Sequence, residues 1–181
     1  LDVVRMYVRA PTVTDEQPEN WLVAPYPWRL VPRPMSDEHL ALLAPHVLRQ
    51  GALLGNFSDR ISDEELDHAL LGPSLALVVV DDLTWRVGTS LKGNRQVRAV
   101  FQLDGHRYAL SITDPAWEHR LRTLPIGEHP KSSGGLDAAE PMLLTISRGR
   151  KFEGNYFKLV AAIAPLPDRW RKELLRTTPG T

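Results

Sequence analysis

The 181-residue sequence predicts a β-rich α+β fold, a small antiparallel barrel with short connecting helices. Three observations point there. Residues 73–165 carry about six short runs of strand-forming residues with no crossover helix alternating between them. An Asp104-Gly105 pair separates two of those runs, a strong short-range hairpin signal because both central residues of a type I′ turn need positive φ. Helical periodicity is confined to three short stretches.

Leu1 to Ala10 reads as a strand, with Val3, Val4, Met6, Tyr7 and Val8 as its β-formers. Pro11 to Pro18 is a polar loop and Trp21 to Ala24 a short apolar run. Pro25, Pro27, Pro32 and Pro34 then exclude a long helix or a central strand and suggest an extended connector. Ser36 opens a helical stretch with Asp37 and Glu38 in its first turn and Leu40, Leu43 and Val47 on one face. Pro45 should break it and Gly51 stop it. Ser62 and Glu65 make a capping box for a second helix, ended by Gly72-Pro73.

From Leu75 the period becomes that of strands. Leu75 to Val80 reads as a strand covered on both faces, Asp81-Asp82 as a turn and Leu83 to Val87 as the returning strand. Gln96 to Leu103 and His106 to Thr113 flank the Asp-Gly turn. Pro125 to Pro141 is a loop rich in Gly, Ser and Pro. Met142 to Ser147 and Tyr156 to Ala164 are two further strands separated by a basic segment. Asp168 to Arg176 is a short basic amphipathic helix. A compact barrel of this strand number makes the five-stranded OB type a natural candidate.

The zero formal charge conceals a polarised chain. Residues 1–85 hold six Arg and no Lys against thirteen Asp and Glu, a balance of −7, so residues 86–181 carry +7. Such asymmetry points to nucleic-acid contact, since cations follow a phosphate backbone and flat rings stack on bases. With no Cys, disulfides, thiolate nucleophiles and Cys-ligated metal sites are excluded. The longest apolar runs are too short to span a bilayer as helices, and no stretch has a signal-peptide layout. The expected setting is cytoplasmic, with no membrane partner. His39, His46, His68, His106, His119 and His129 show no close ligand pair, so neither a metal nor another cofactor is expected. The start at Leu1 suggests that part of the natural N-terminus is missing.

Two clusters in the basic half combine cations with rings. In the first, Lys92 precedes a strand on which Arg95 and Phe101 share one parity and Arg98 the other. The alternative is that Phe101 is core and the cations are a solvated face. The second holds Arg148, Gly149, Arg150, Lys151, Phe152, Gly154 and Tyr156, where glycines allow close backbone approach and cations supply long-range attraction. Its alternative is an ordinary basic hairpin loop. Lys158 lies just beyond. Asp114 with Trp117 reads either as a cap on the next turn or as a base edge held by the carboxylate and stacked on the indole. Glu19-Asn20-Trp21 and Asn56 with Asp59-Arg60 line a cleft or, in the simpler reading, satisfy loop backbone groups.

Several phrases occur in order along nearly the whole chain: Leu1-Asp2-Val3-Val4, Gln17-Pro18-Glu19-Asn20-Trp21-Leu22, Gly55-Asn56-Phe57 with Asp59-Arg60-Ile61, Tyr108 to Pro115, and Tyr156 to Ile163. Together they resemble the dual OB-containing domain family of prokaryotes. The resemblance implies tandem OB-like barrels and a role in binding or processing nucleic acid. It divides the chain into a remnant of a first barrel (1–35), a helical connector (36–72), a second barrel (73–165) and a basic C-terminal helix and tail (166–181). The expected function is a non-catalytic module for single-stranded or modified nucleic acid, DNA or RNA. The alternatives are a protein-interaction module in a larger assembly and, behind it, an accessory part of a nucleic-acid-modifying enzyme in which Asp114 is the acid or base. No catalytic signature such as a nucleophile elbow or P-loop is present.

Overall fold

The computed structural model describes residues 3–12, 17–31, 42–68, 72–90 and 92–176. Strands dominate, and one ladder holds most of them. Its hydrogen-bonded order is β10 (Gly127–Pro130), β7 (Leu83–Thr89), β8 (Arg95–Leu103), β9 (His106–Ile112), β12 (Asn155–Pro165), β11 (Met142–Phe152) and β6 (Leu75–Val80), with β5 (Arg60–Ser62) paired to β12 beside this path. All neighbours are antiparallel except β9 and β12, which run parallel. The connector of residues 36–72 thus supplies a strand to the sheet.

Asp81-Asp82 is not a hairpin turn. β6 pairs with β11 while β7 pairs with β8, so the two are halves of one bent strand joining opposite ends of the ladder. Two Asp residues between apolar runs suit a bend as well as a reversal. What holds the bend is distant: the buried Lys131 ammonium donates to the Asp81 carbonyl at 3.0 Å and to the Glu140 carbonyl, and the Lys131 carbonyl accepts from the Trp85 indole at 3.2 Å.

Around this circuit the inward residues form one core, including Val78, Val80, Trp85, Ala99, Phe101, Tyr108, Leu110, Leu144, Ile146 and Val160. Strand periodicity directs alternate residues inward. Helix α1 (Asp63–His68) begins at the anticipated capping box: the Glu65 amide donates to Ser62 Oγ at 3.2 Å and the Ser62 amide to Glu65 Oε2 at 2.8 Å. The Ser62 amide first, and then the Asn56 side chain, hold the Glu65 carboxyl below its ordinary range. Helix α2 (Pro115–Leu121) places Trp117 and Leu121 in the barrel core. Helix α3 (Asp168–Arg176) has the expected bounds and packs Leu174 against Leu143, Leu166, Leu77 and Val79. That second cluster covers the outer face of β6, as the apolar run implied.

The Asp104-Gly105 turn forms with φ of 49° and 76°. A second turn of the same kind occurs at Glu153-Gly154, with φ of 49° and 75°. It lets β11 run on to Phe152, so the basic segment is strand and not loop. Gly149 is needed in that run: a Cβ there would stand 3.1 Å from Leu159 Cδ1 and 3.3 Å from the Phe157 carbonyl, at an irregularity in the β11–β12 register. The stretch Pro125 to Pro141, expected to be loop, contains β10.

The N-terminal residues form a separate two-stranded arm. β1 (Val3–Arg5) pairs with β4 (Arg29–Val31), and β2 (Val8–Pro11) pairs with β3 (Trp21–Val23), so the single expected strand is split at Met6-Tyr7. The arm touches the main sheet where Gln17 Nε2 donates to the Arg148 carbonyl at 3.2 Å and where Ser74 donates to the Glu19 carboxylate. The chain turns at Pro45 in a short 3-10 segment, Ala44–His46. Ser36 to Leu40, on which the first helix was read, lie outside the described residues.

Candidate nucleic-acid interface

The rings expected to stack on bases are mostly inside. Phe101 points inward and lies against Tyr108, centroids 5.6 Å apart. Trp117 stacks on Trp85 at 5.3 Å and donates its indole N–H to the Ile163 carbonyl at 2.9 Å. Tyr156 is buried with Ile61 and Leu66. Each occupies an inward parity or the apolar face of a helix, and burying a large ring outweighs leaving it in water. These three are corrected from stacking platforms to core residues.

Several polar residues are likewise committed to the fold. Asp114 caps α2: Oδ1 accepts from the Ala116 and Trp117 amides at 2.9 and 3.3 Å, and Oδ2 accepts from the Ile163 amide at 3.3 Å. The capping reading of Asp114 therefore replaces the base-edge one. Arg95 donates to the Leu121 carbonyl at 3.2 Å and to that of Leu124, closing the C-terminal end of the same helix. Arg98 directs Nε–H to Gln96 at 3.2 Å and Nη1 to the Ala109 carbonyl at 3.0 Å and Asp59 at 3.3 Å. Arg148 is buried, lining a cavity of about 870 Å³ with Val47, Leu54, Ile61, Leu66 and Leu75. Arg95 and Arg98 thus brace the fold and Arg148 is buried, so the three do not form one open cationic row.

Among the described residues Lys158 is the most deeply buried cation, at 1% exposure. Its ammonium donates to the Asn56 carbonyl at 2.7 Å and to Asn56 Oδ1 at 2.6 Å, and lies 6.0 Å from the Tyr108 ring centroid. Burial pushes its pKa down to about 8, against the opposing pull of Glu65 and Asp59. Asn56 in turn donates to the Arg60 carbonyl and to Glu65 Oε1. The phrases around Asn56, Asp59 and Lys158 therefore meet in space.

An exposed group of cations and rings gathers where the β7–β8 loop meets the turn between β11 and β12. Lys92, in the loop between β7 and β8, stands 5.3 Å over the ring of Phe152, which precedes the β11–β12 turn and is 49% exposed. Phe152 lies 6.4 Å from half-buried Phe157. The Arg60 guanidinium covers Phe157 at 5.5 Å while its Nε meets Asp59 at 3.2 Å. Arg150 is exposed on β11. Lys151 reaches Asp63 at 2.5 Å, and its hydrogen bond keeps that carboxyl below its ordinary pKa. This candidate patch thus keeps Lys92, Arg150, Lys151 and Phe152 from the two expected clusters, and Phe157 and Arg60 join them. Phe152 and Phe157 belong to sequence phrases already singled out. Arg60 reaches them because β5 pairs with β12, placing Arg60 opposite Phe157.

The family model described as the dual OB-containing domain matches residues 1–163. The chain belongs to that family. No curated protein and no solved structure matches it. In OB terms the bent β6–β7 is the first strand and β8, β9, β11 and β12 are the second to fifth, with α2 between the third and fourth. The loop carrying Lys92 joins OB strands one and two, and the turn after Phe152 joins strands four and five. Among the described residues no helix is long and apolar enough to cross a membrane.

Proposed function

We propose that this member of the dual OB family is a non-catalytic module that binds single-stranded nucleic acid, with its site where Lys92, Phe152, Phe157 and Arg60 converge. The observation that carries the reading is the Lys92–Phe152 contact, which brings the two loops together as one patch of rings and cations. OB barrels that take oligonucleotides use the face of strands two and three together with these same two loops. Rings with an open face tolerate any base, and neighbouring cations track the phosphates.

The test is fluorescence anisotropy with labelled single-stranded DNA and RNA over a salt series. If Lys92, Arg60, Arg150 and Lys151 all meet phosphates, the slope of log K against log salt is about −3. Phe152→Ala should weaken binding by about 1–3 kcal/mol, the usual worth of one stacked base. Affinity indifferent to salt, or equal in the Lys92→Ala and Phe152→Ala variants to that of the wild type, overturns the assignment.

A second reading has its own observation. Met6, Tyr7, Trp21, Leu22, Tyr26, Trp28 and Leu30 are all exposed on the N-terminal arm. An apolar surface on that scale suits a protein partner within a larger assembly. Retention of one protein partner by the full chain, unchanged by nuclease and lost with Trp21→Ser and Trp28→Ser together, favours this alternative.

A further inference from the structure

Resting on that reading, we infer that Phe57, on the loop ahead of β5, is a second base-stacking platform that lengthens the site beyond the two OB loops. Phe57 is 49% exposed and stacks on exposed His106, centroids 3.8 Å apart and planes 25° from parallel. The stack covers one side of the ring and leaves the rest in water. Neither ring is among the core clusters.

An exposed ring is ordinary on a surface, but this one is held on a loop with little freedom. The Lys158 ammonium clamps Asn56, directly before Phe57. The Ser58 amide donates to Asn56 Oδ1 at 3.0 Å, and Asn56 Nδ2 donates to the Arg60 carbonyl at 2.9 Å. The Lys158 amide donates to the Asp59 carbonyl at 2.9 Å. Burying an ammonium is unfavourable unless its donors are well used, and here two of its hydrogen bonds hold the carbonyl and the side chain of Asn56, the residue before Phe57. A ring already immobilised loses little further entropy when a base settles on it.

The position also fits. Asp59, two residues on, holds Arg98 on β8, and Arg60, three residues on, covers Phe157. Three residues span at most ~11 Å of chain, or about three stacked-base steps at ~3.4 Å each. A strand crossing Phe152 and Phe157 therefore reaches Phe57 within a few nucleotides. The ligand class is a single strand longer than the patch at the two loops alone.

Binding of a tetrathymidylate and a dodecathymidylate to the full chain separates the two sites, since one OB barrel covers roughly 4–16 nucleotides. Phe152→Ala should weaken both oligomers. Phe57→Ala should weaken the longer by roughly fivefold or more and leave the shorter unchanged. Phe57→Trp should keep the affinity, with its added indole quenched by the longer oligomer, while Phe57→Leu should not keep it. If Phe57→Ala does not fold, the Trp and Leu variants decide the matter. Wild-type binding of both oligomers by Phe57→Leu, with Phe152→Ala still weakened, overturns this inference and leaves the proposed function standing. Wild-type binding by the Phe57 and Phe152 variants alike overturns both.

Discussion

Replacing Lys158 by Met should erase a rise in stability with pH that the wild-type chain shows from about pH 7.5 to 9.5. The folded pKa is about 8 and the ordinary value 10.5. Between these values the unfolded chain holds a proton that the folded chain has released. Unfolding then binds a proton, so its free energy increases with pH, at ~1.36 kcal/mol per unit where the difference is complete. The whole gap corresponds to about 3 kcal/mol, and titration is partial near its lower edge, leaving about 2 kcal/mol across the stated window. Tyr108, whose pKa burial raises above 10, sets the upper limit: above that pH the unfolded phenol ionises first and stability turns down. Urea unfolding followed by the fluorescence of buried Trp85 and Trp117 measures the effect in both proteins. The difference between wild type and Lys158→Met should widen in favour of wild type by about 2 kcal/mol as pH rises. A constant difference, or one that narrows, would show that the ammonium is not held in a poorly solvated site.

Asp114→Ala removes the acceptor for three backbone amides and should lower stability by about 1–2 kcal/mol, seen as a reduced melting temperature. Gly134→Ala places a Cβ 3.0 Å from Trp85 Nε1 and 3.2 Å from Trp117, so it should cost about 1–3 kcal/mol and change the fluorescence of the stacked indoles. Gly154→Val puts a β-branched side chain at φ 75° in the β11–β12 turn and should destabilise by about 1 kcal/mol or more in urea unfolding, with weaker oligonucleotide binding because Phe152 adjoins the turn.

Local chemistry made much of the barrel legible. The Ser62–Glu65 box, the Asp104-Gly105 turn and the bounds of α3 each depend on residues within a few positions of one another. Strands β8 and β9 stood out because alternate residues face a shared core. β10 did not: Gly127-Glu128-His129-Pro130 has no apolar alternation, and pairing with β7 along with the Arg86–Glu128 ion pair at 2.6 Å places it. The bend at Asp81-Asp82 was hidden because its latch, Lys131, is fifty residues away. For the interface, parity put Arg95 and Phe101 on one face, yet Arg95 leaves the strand end for helix carbonyls while Phe101 goes inward. Composition revealed that cations and rings alternate, but whether a ring faces the core depends on strand phase. The role of Lys158 was beyond local reading, since its partner Asn56 is separated from it by 102 positions.

The place of β12, between β9 on one side and β11 on the other, has a kinetic consequence. Until the ribosome has released the chain through Pro165, β9 lacks its parallel neighbour and β11 offers only its contact with β6. The β9–β12 and β6–β11 pairings are remote along the chain and make folding slow, since loop-closure entropy is lost before they form. Nascent chains therefore carry unpaired strand edges throughout synthesis of the barrel, and truncation anywhere before residue 165 should yield an aggregation-prone product rather than a smaller stable domain.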